Sequence, residues 1–170
     1  MSTRSAGQRE EIAFAGKRVR YTSTASYDRV LARLHEAAGD MPLPELLDVS
    51  GDREDYEARV NLRLGSSGFV LVAALDHGPW IAKFGVNRRA QRWIFGNPLV
   101  AITMIRHDIV AGLFVPPDLI LVENEGGQGC YVLYVEPSSH MVVENNPPLL
   151  AAARELDEKI AAFVAGATAD

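Results

Sequence analysis

Two apolar runs near the C-terminal end constrain the fold most. DLILVEN occupies 118–124 and GCYVLYVEP occupies 129–137, with only EGGQ between them. Runs of this length with alternating patterning, parted by a glycine-rich segment, predict a β-hairpin. Gly126, Gly127 or Gly129 can meet its demand for positive φ. A hairpin commits the sheet to antiparallel pairing.

Other segments extend that sheet or pack on it. KRVRYTST at 17–24 reads as a first strand. Ser26 is placed to cap a helix in which Tyr27, Val30, Leu31 and Leu34 recur at helical spacing, ending before Gly39. In MPLPELLD, Pro44 can open a short helical turn carrying Leu46 and Leu47. Acids crowd the start of DREDYEARVNLRLG, which predicts a helix over 53–64 stopped by Gly65. FVLVAALD at 69–76 is a continuous apolar run, expected deep in a sheet. HGP breaks it, WIAKFG is expected to return as a strand, and AQRWIF at 90–95 as another.

LVAITMIR follows with apolar residues on nearly every side, which predicts a helix with little solvent around it. Asp108 can cap a further short turn, IVAGL, and Pro116-Pro117 prevents any helix from continuing. Residues 138–146 read as a polar connector with an apolar MVV inside. A final helix is predicted at about 148–165, since Leu149, Ala153, Leu156, Ile160 and Phe163 step by four and three. The order β-α-(α)-α-β-β-β-α-β-β-α with hairpin signals predicts an α+β fold. It is a single compact domain over 16–166, a mostly antiparallel sheet with helices packed against it, behind a loosely held tail at 1–15.

The chain has 170 residues, 48% of them hydrophobic, enough for one domain with its own core. No apolar run is long enough to cross a membrane. The first residues lack the apolar stretch of a secretory signal. The single cysteine, Cys130, excludes an intramolecular disulfide and fits the reducing cytoplasm, where the protein is expected. A formal charge of -5 argues against a nucleic-acid partner. The high apolar fraction favours a homodimer, with the MVV segment or one helix face shared.

Three places can carry chemistry. At Gly96-Asn97-Pro98, Gly96 permits a sharp turn, Asn97 can accept from the amide of Leu99 or Val100, and Pro98 suits the first helical position. The same device recurs at Asn146-Pro147. A helix start also offers amides to an anion. At Asp76-His77-Gly78-Pro79-Trp80, a polar pair ends a greasy run; His77 can act as acid, base or ligand, and Trp80 can wall a pocket. His107-Asp108 is the third, although neighbours on a helix do not face each other. Arg88 and Arg92, sharing a strand face, can balance an anion or form ion pairs, with Arg89 pointing away. His35, His77, His107 and His140 match no compact metal pattern, and no phosphate loop, nucleophile elbow or other cofactor motif is present.

LDHG at 75–78, IFGNPLVAITMIRHD at 94–108, LFVPPDLILVE at 113–123 and YVLYVEPSS at 131–139 fall in an order that resembles the bacterial and archaeal "domain of unknown function 302" family, over about residues 18–143. The segment 40–66 looks longer than the family's short form, and the helix after 147 looks like an addition or a variation. The resemblance implies a compact, dimeric α+β domain with no settled activity, and Asp76, His77 and Asn97 as places to look.

These readings converge on a small domain that binds a small, anionic molecule in a pocket between the 76–80 strand end and the 96–100 helix start. His77, Trp80, Arg88, Arg92, Asn97 and Pro98 would line it. The alternatives are a metal-independent enzyme using His77 as general acid or base, oriented by Asp76 or Asp108 with His107 as a further candidate, and a structural or oligomerising domain without a ligand.

Overall fold

The computed structural model describes residues 7–169. Its first strand is β1 (Arg18–Ser23), followed by α1 (Tyr27–Ala37), the two-residue β2 (Gly39–Asp40), α2 (Leu43–Leu46) and α3 (Arg53–Arg63). Next come β3 (Val70–Asp76), α4 (Gly78–Ile81), a 3₁₀ turn (Ala82–Phe84), β4 (Ala90–Gly96) and α5 (Pro98–Ile105). A second 3₁₀ turn (Ile109–Leu113), β5 (Asp118–Glu123), β6 (Cys130–Val135), α6 (Pro137–Met141) and α7 (Pro147–Thr168) complete the chain. Residues 1–6 of the expected tail lie outside the described residues; 7–17 carry no helix or strand.

The strands form one sheet in the order β1-β6-β5-β4-β3-β2. Every pairing is antiparallel except the short β2–β3 contact. The fold is the expected α+β arrangement. The β5–β6 hairpin stands where predicted, and Gly126, Gly127 and Gly129 all take positive φ. No helix is long and apolar enough to cross a membrane among the described residues.

One face of the sheet carries the main core. Alternation turns Trp93 and Phe95, Leu119 and Leu121, and Val132 and Tyr134 toward α1 and α7. All five positions anticipated on the last helix are buried, and Phe163 meets Phe69 and Phe95 at ring separations of 5.7 and 5.4 Å. The opposite face is covered at its β3 edge, where Val70 and Val72 pack with Met41, Val60, Tyr56 and Leu46 of the α2–α3 segment.

Several expectations are corrected. WIAKFG is helical, not a strand. Pro79 suits a helix start, the Asp76 carboxylate accepts from the Gly78 amide at 2.9 Å, and Trp80 and Phe84 meet one helical turn apart. β3 is buried only in its first half: β2 pairs with Val70 and Leu71 alone, so the strand beyond is an edge and Leu75 is exposed. The supposed connector at 138–146 begins with the helix α6, and Met141 of the MVV segment points into the core. α5 forms as predicted, yet Ile102 is exposed, because one side of the helix borders an open cleft.

The segment 40–64 leaves and rejoins the body through a narrow neck. The amides of Gly39 and Gly65 both donate to the Phe69 carbonyl, at 2.9 and 3.0 Å. The amide and hydroxyl of Ser67 both donate to the Ala37 carbonyl, at 3.0 and 2.8 Å. A Cβ on Gly39 would lie 1.7 Å from the Arg63 carbonyl oxygen, and one on Gly65 would lie 2.3 Å from that of Ala37. Both glycines are required by close approach of two backbones, not by helix termination alone. Gly65→Ala is expected to lower unfolding stability by about 3 kcal/mol, since backbone cannot yield as a side chain can. Urea denaturation with a stability loss under about 0.5 kcal/mol would show that the neck tolerates separation.

Candidate functional site

The Asn97 corner is built from the residues foreseen. Its Oδ1 accepts from the Leu99 amide at 2.8 Å, and Pro98 opens α5. Its Nδ2 donates to the Gly68 carbonyl at 3.0 Å, tying the SSG turn to the helix start. The second Asn-Pro pair works alike: Asn146 Oδ1 accepts from Leu149 at 3.2 Å, and Nδ2 donates to the His107 carbonyl at 3.2 Å. Gly96 has a different reason from the one expected. Its Cβ would sit 3.3 Å from Pro116 and 3.4 Å from Pro117, so the glycine lets that segment approach.

The amides at this corner are already engaged. Leu99 is capped, and Val100 and Ala101 donate to the Asn97 carbonyl at 3.0 and 2.9 Å. Pro98 has no amide hydrogen to offer. The helix start therefore does not present the free donors that an anion site requires.

Beside the corner lies a cleft of about 190 Å³. Val70 and Val72 of β3 form its floor; Leu46, Leu47 and Tyr56 bound one side, and Ala101 and Ile105 of α5 the other. Its lining includes Asn97 and Pro98 but none of Asp76, His77, Trp80, Arg88 or Arg92. The Tyr56 hydroxyl donates to the Leu46 carbonyl at 3.3 Å. The sequence puts Leu46 and Leu47 on a short turn and Tyr56 on a helix face without joining them. Their contact with β3 depends on the neck at Gly39 and Gly65, which no local pattern announces.

The expected convergence with Asp76-His77 does not occur. In the β3–β4 register Val70 faces Gly96, whereas Asp76 faces Gln91. Asp76 lies six positions along the strand, roughly 20 Å away at ~3.3 Å per residue. There, His77 Nδ1 accepts from Trp80 Nε1 at 3.1 Å, and Trp80 is 52% exposed. The orienting carboxylates are committed elsewhere: Asp76 to the Gly78 amide, and Asp108 to the Val110 amide at 2.9 Å as a cap. His107 follows α5, with its amide on the Met104 carbonyl.

The arginines hold the scaffold. β4 starts at Ala90, so Arg88 precedes the strand and does not share a face of it with Arg92. Arg88 donates to the Glu123 carbonyl at 2.8 and 3.2 Å, and Arg92 to Asp118 at 2.6 Å. Arg89 grips Asp28 with two bonds of 2.9 and 2.6 Å and lies 4.1 Å above the Tyr27 ring. That grip holds the Asp28 carboxyl below its usual range, and burial pushes the Tyr27 hydroxyl up to about 12. Cys130 is a buried core thiol, and no group of three potential metal-binding side chains comes together among the described residues.

The sequence profile described as "Domain of unknown function DUF302" matches residues 47–167. The chain belongs to the DUF302 family. The matched segment begins later than the resemblance suggested and runs through α7, so the last helix is part of the family pattern and not an addition. A solved structure, "uncharacterized conserved protein DUF302 from Bacillus stearothermophilus", shares the fold with a TM-score of 0.62 at 14% identity, covering 88% of this chain and 97% of that one. No curated protein matches the chain.

Two expected outcomes test this geometry. Asn97→Ala should lower stability by about 2 kcal/mol, more than the ~1 kcal/mol of a simple cap, because the Gly68 carbonyl also loses its partner. Equal losses in thermal unfolding for Asn97→Ala and Ser26→Ala would contradict it; among the described residues the Ser26 side chain accepts only from Arg29. His140 concerns pH. Its buried Nδ1 makes no well-formed hydrogen bond among the described residues, its ring is 4.7 Å from Phe114, and burial holds its pKa below the ordinary 6.5, opposed by the nearby Glu136 carbonyl, Asp157 and Asp118. The unfolded chain takes that proton first, so this contribution is full above pH ~6.5 and declines as pH falls below it. Relative to His140→Gln, the wild type should lose stability between about pH 7.5 and 5.5; parallel urea curves at both pH values would refute this.

Proposed function

We propose that this DUF302 domain binds a small, largely apolar molecule in the cleft beside Asn97 and Pro98. The observation that carries the reading is the cleft's lining. Its walls are aliphatic and aromatic, and the polar groups at its edge, Asn97 and the Tyr56 hydroxyl, already hold protein partners. Such a surface gains by removing apolar area from water and has little to offer a polar ligand. The proposed pocket thus keeps the helix-start half of the sequence-based site and drops the Asp76-His77 half. Attraction of an anion to the α5 amides forms no part of it.

A neutral fluorescent probe, N-phenyl-1-naphthylamine, tests the reading. Wild-type protein should enhance its emission saturably. Ala101→Phe fills the cleft and Leu47→Glu sets a charge at its mouth, where Leu47 is 65% exposed; both should abolish the enhancement while the circular dichroism spectrum is kept. Phe84→Glu, at an apolar side chain outside the cleft, should leave it intact. Emission unaffected by the two cleft variants would sink the proposal.

A further inference from the structure

The cleft continues along the seam between α3 and α5. A second trough of about 440 Å³ shares Tyr56, Pro98, Ala101 and Ile105 with it and adds Leu99 and Ile102. Arg53, Glu57 and Arg106 also line this outer part. The two parts therefore differ in chemistry. The inner one is apolar with its polar groups engaged; the outer one keeps an apolar floor between charged side chains.

The charges are unequal in their freedom. Arg53 is neutralised by Glu57, whose carboxylate accepts from its Nε at 2.6 Å. Arg106 has no such partner among the described residues. Its Nε donates to the Ile102 carbonyl at 3.2 Å, and among the described residues it forms no ion pair. The Arg88, Arg89 and Arg92 guanidiniums each hold a carboxylate or carbonyl with more than one contact. An apolar channel that ends beside an uncompensated guanidinium fits a molecule that is greasy along its length and anionic at one end.

We infer that the joined trough takes a single-chain aliphatic carboxylate, its chain in the inner cleft and its carboxylate on Arg106. The inference rests on the proposed apolar site and adds the ligand class. It also moves the anion contact from the start of α5 to its end, where a side chain and not the backbone supplies the charge. Chain burial predicts about fourfold tighter binding per added methylene until the inner cleft is full.

The experiment displaces N-phenyl-1-naphthylamine with octanoate, decanoate and decanol, each below its aggregation concentration. Affinity should rise from octanoate to decanoate. Decanoate should bind more tightly than decanol, and Arg106→Gln should weaken decanoate by about fivefold or more while leaving decanol unchanged. Arg106 is exposed, so this variant does not disturb the core. If decanoate and decanol bind equally, or if Arg106→Gln leaves decanoate unaffected, the carboxylate inference is overturned while probe binding still supports the apolar site. If neither the probe nor any chain binds, both are overturned.

Discussion

The shared carbonyl of Phe69 holds the arrangement together. Two backbone amides from residues far apart in sequence, Gly39 and Gly65, converge on one acceptor, and the segment between them is thereby closed into a lobe. Only residues without a Cβ allow the strands of the neck to come this close. The lobe then sets Met41, Val60, Tyr56 and Leu46 on the face of β3 that α1 and α7 do not reach. Without that closure, Val70 and Val72 would face water, and the cleft would lack one wall.

The other wall depends on Asn97. A cap that accepted from Leu99 alone would begin α5 without fixing where the helix points. By donating to Gly68 as well, the same side chain ties the helix start to the turn that leads into β3. Asn146 makes the same pair of contacts for α7, reaching back to the His107 carbonyl. The chain thus uses one local chemistry twice to couple a helix start to a distant loop. The consequence is chemical as well as structural: donors consumed in holding the corner are not available to a ligand, which makes the neighbouring cleft apolar in effect.

What was legible in the sequence was local. Ser26, Asn97, Asp108 and Asn146 cap where their spacing indicated, because a cap needs only the next three residues. The hairpin glycines and the buried stripe of α7 are likewise properties of short stretches. WIAKFG reads as a strand because Trp80, Ile81 and Phe84 satisfy both a strand-like run and one face of a helical turn, and a proline with an aspartate turn decides between them. The shared pocket fails for the same reason. With WIAKFG as a returning strand between them, β3 and β4 would run the same way, and Asp76 and Gly96 would end at one rim. Because that segment is helical, β3 and β4 pair directly and antiparallel, which sends Asp76 and Gly96 to opposite ends of the strand pair.

The cleft lies between two unequal cores. The larger joins the sheet to α1 and α7; the smaller gathers around Val70 and Val72 and joins the lobe to β3. A small core held through a narrow neck has fewer buried contacts to lose, so the lobe is the unit expected to open first. The lining of the cleft bridges both units: Leu46 and Tyr56 come from the lobe, whereas Met104 and Leu156 come from the body. A molecule seated there would touch both and bind only the closed form, which shifts the balance toward closure by mass action. Entry and release of such a molecule would then require no separate lid, because the same neck that builds the cleft limits how strongly its outer wall is held.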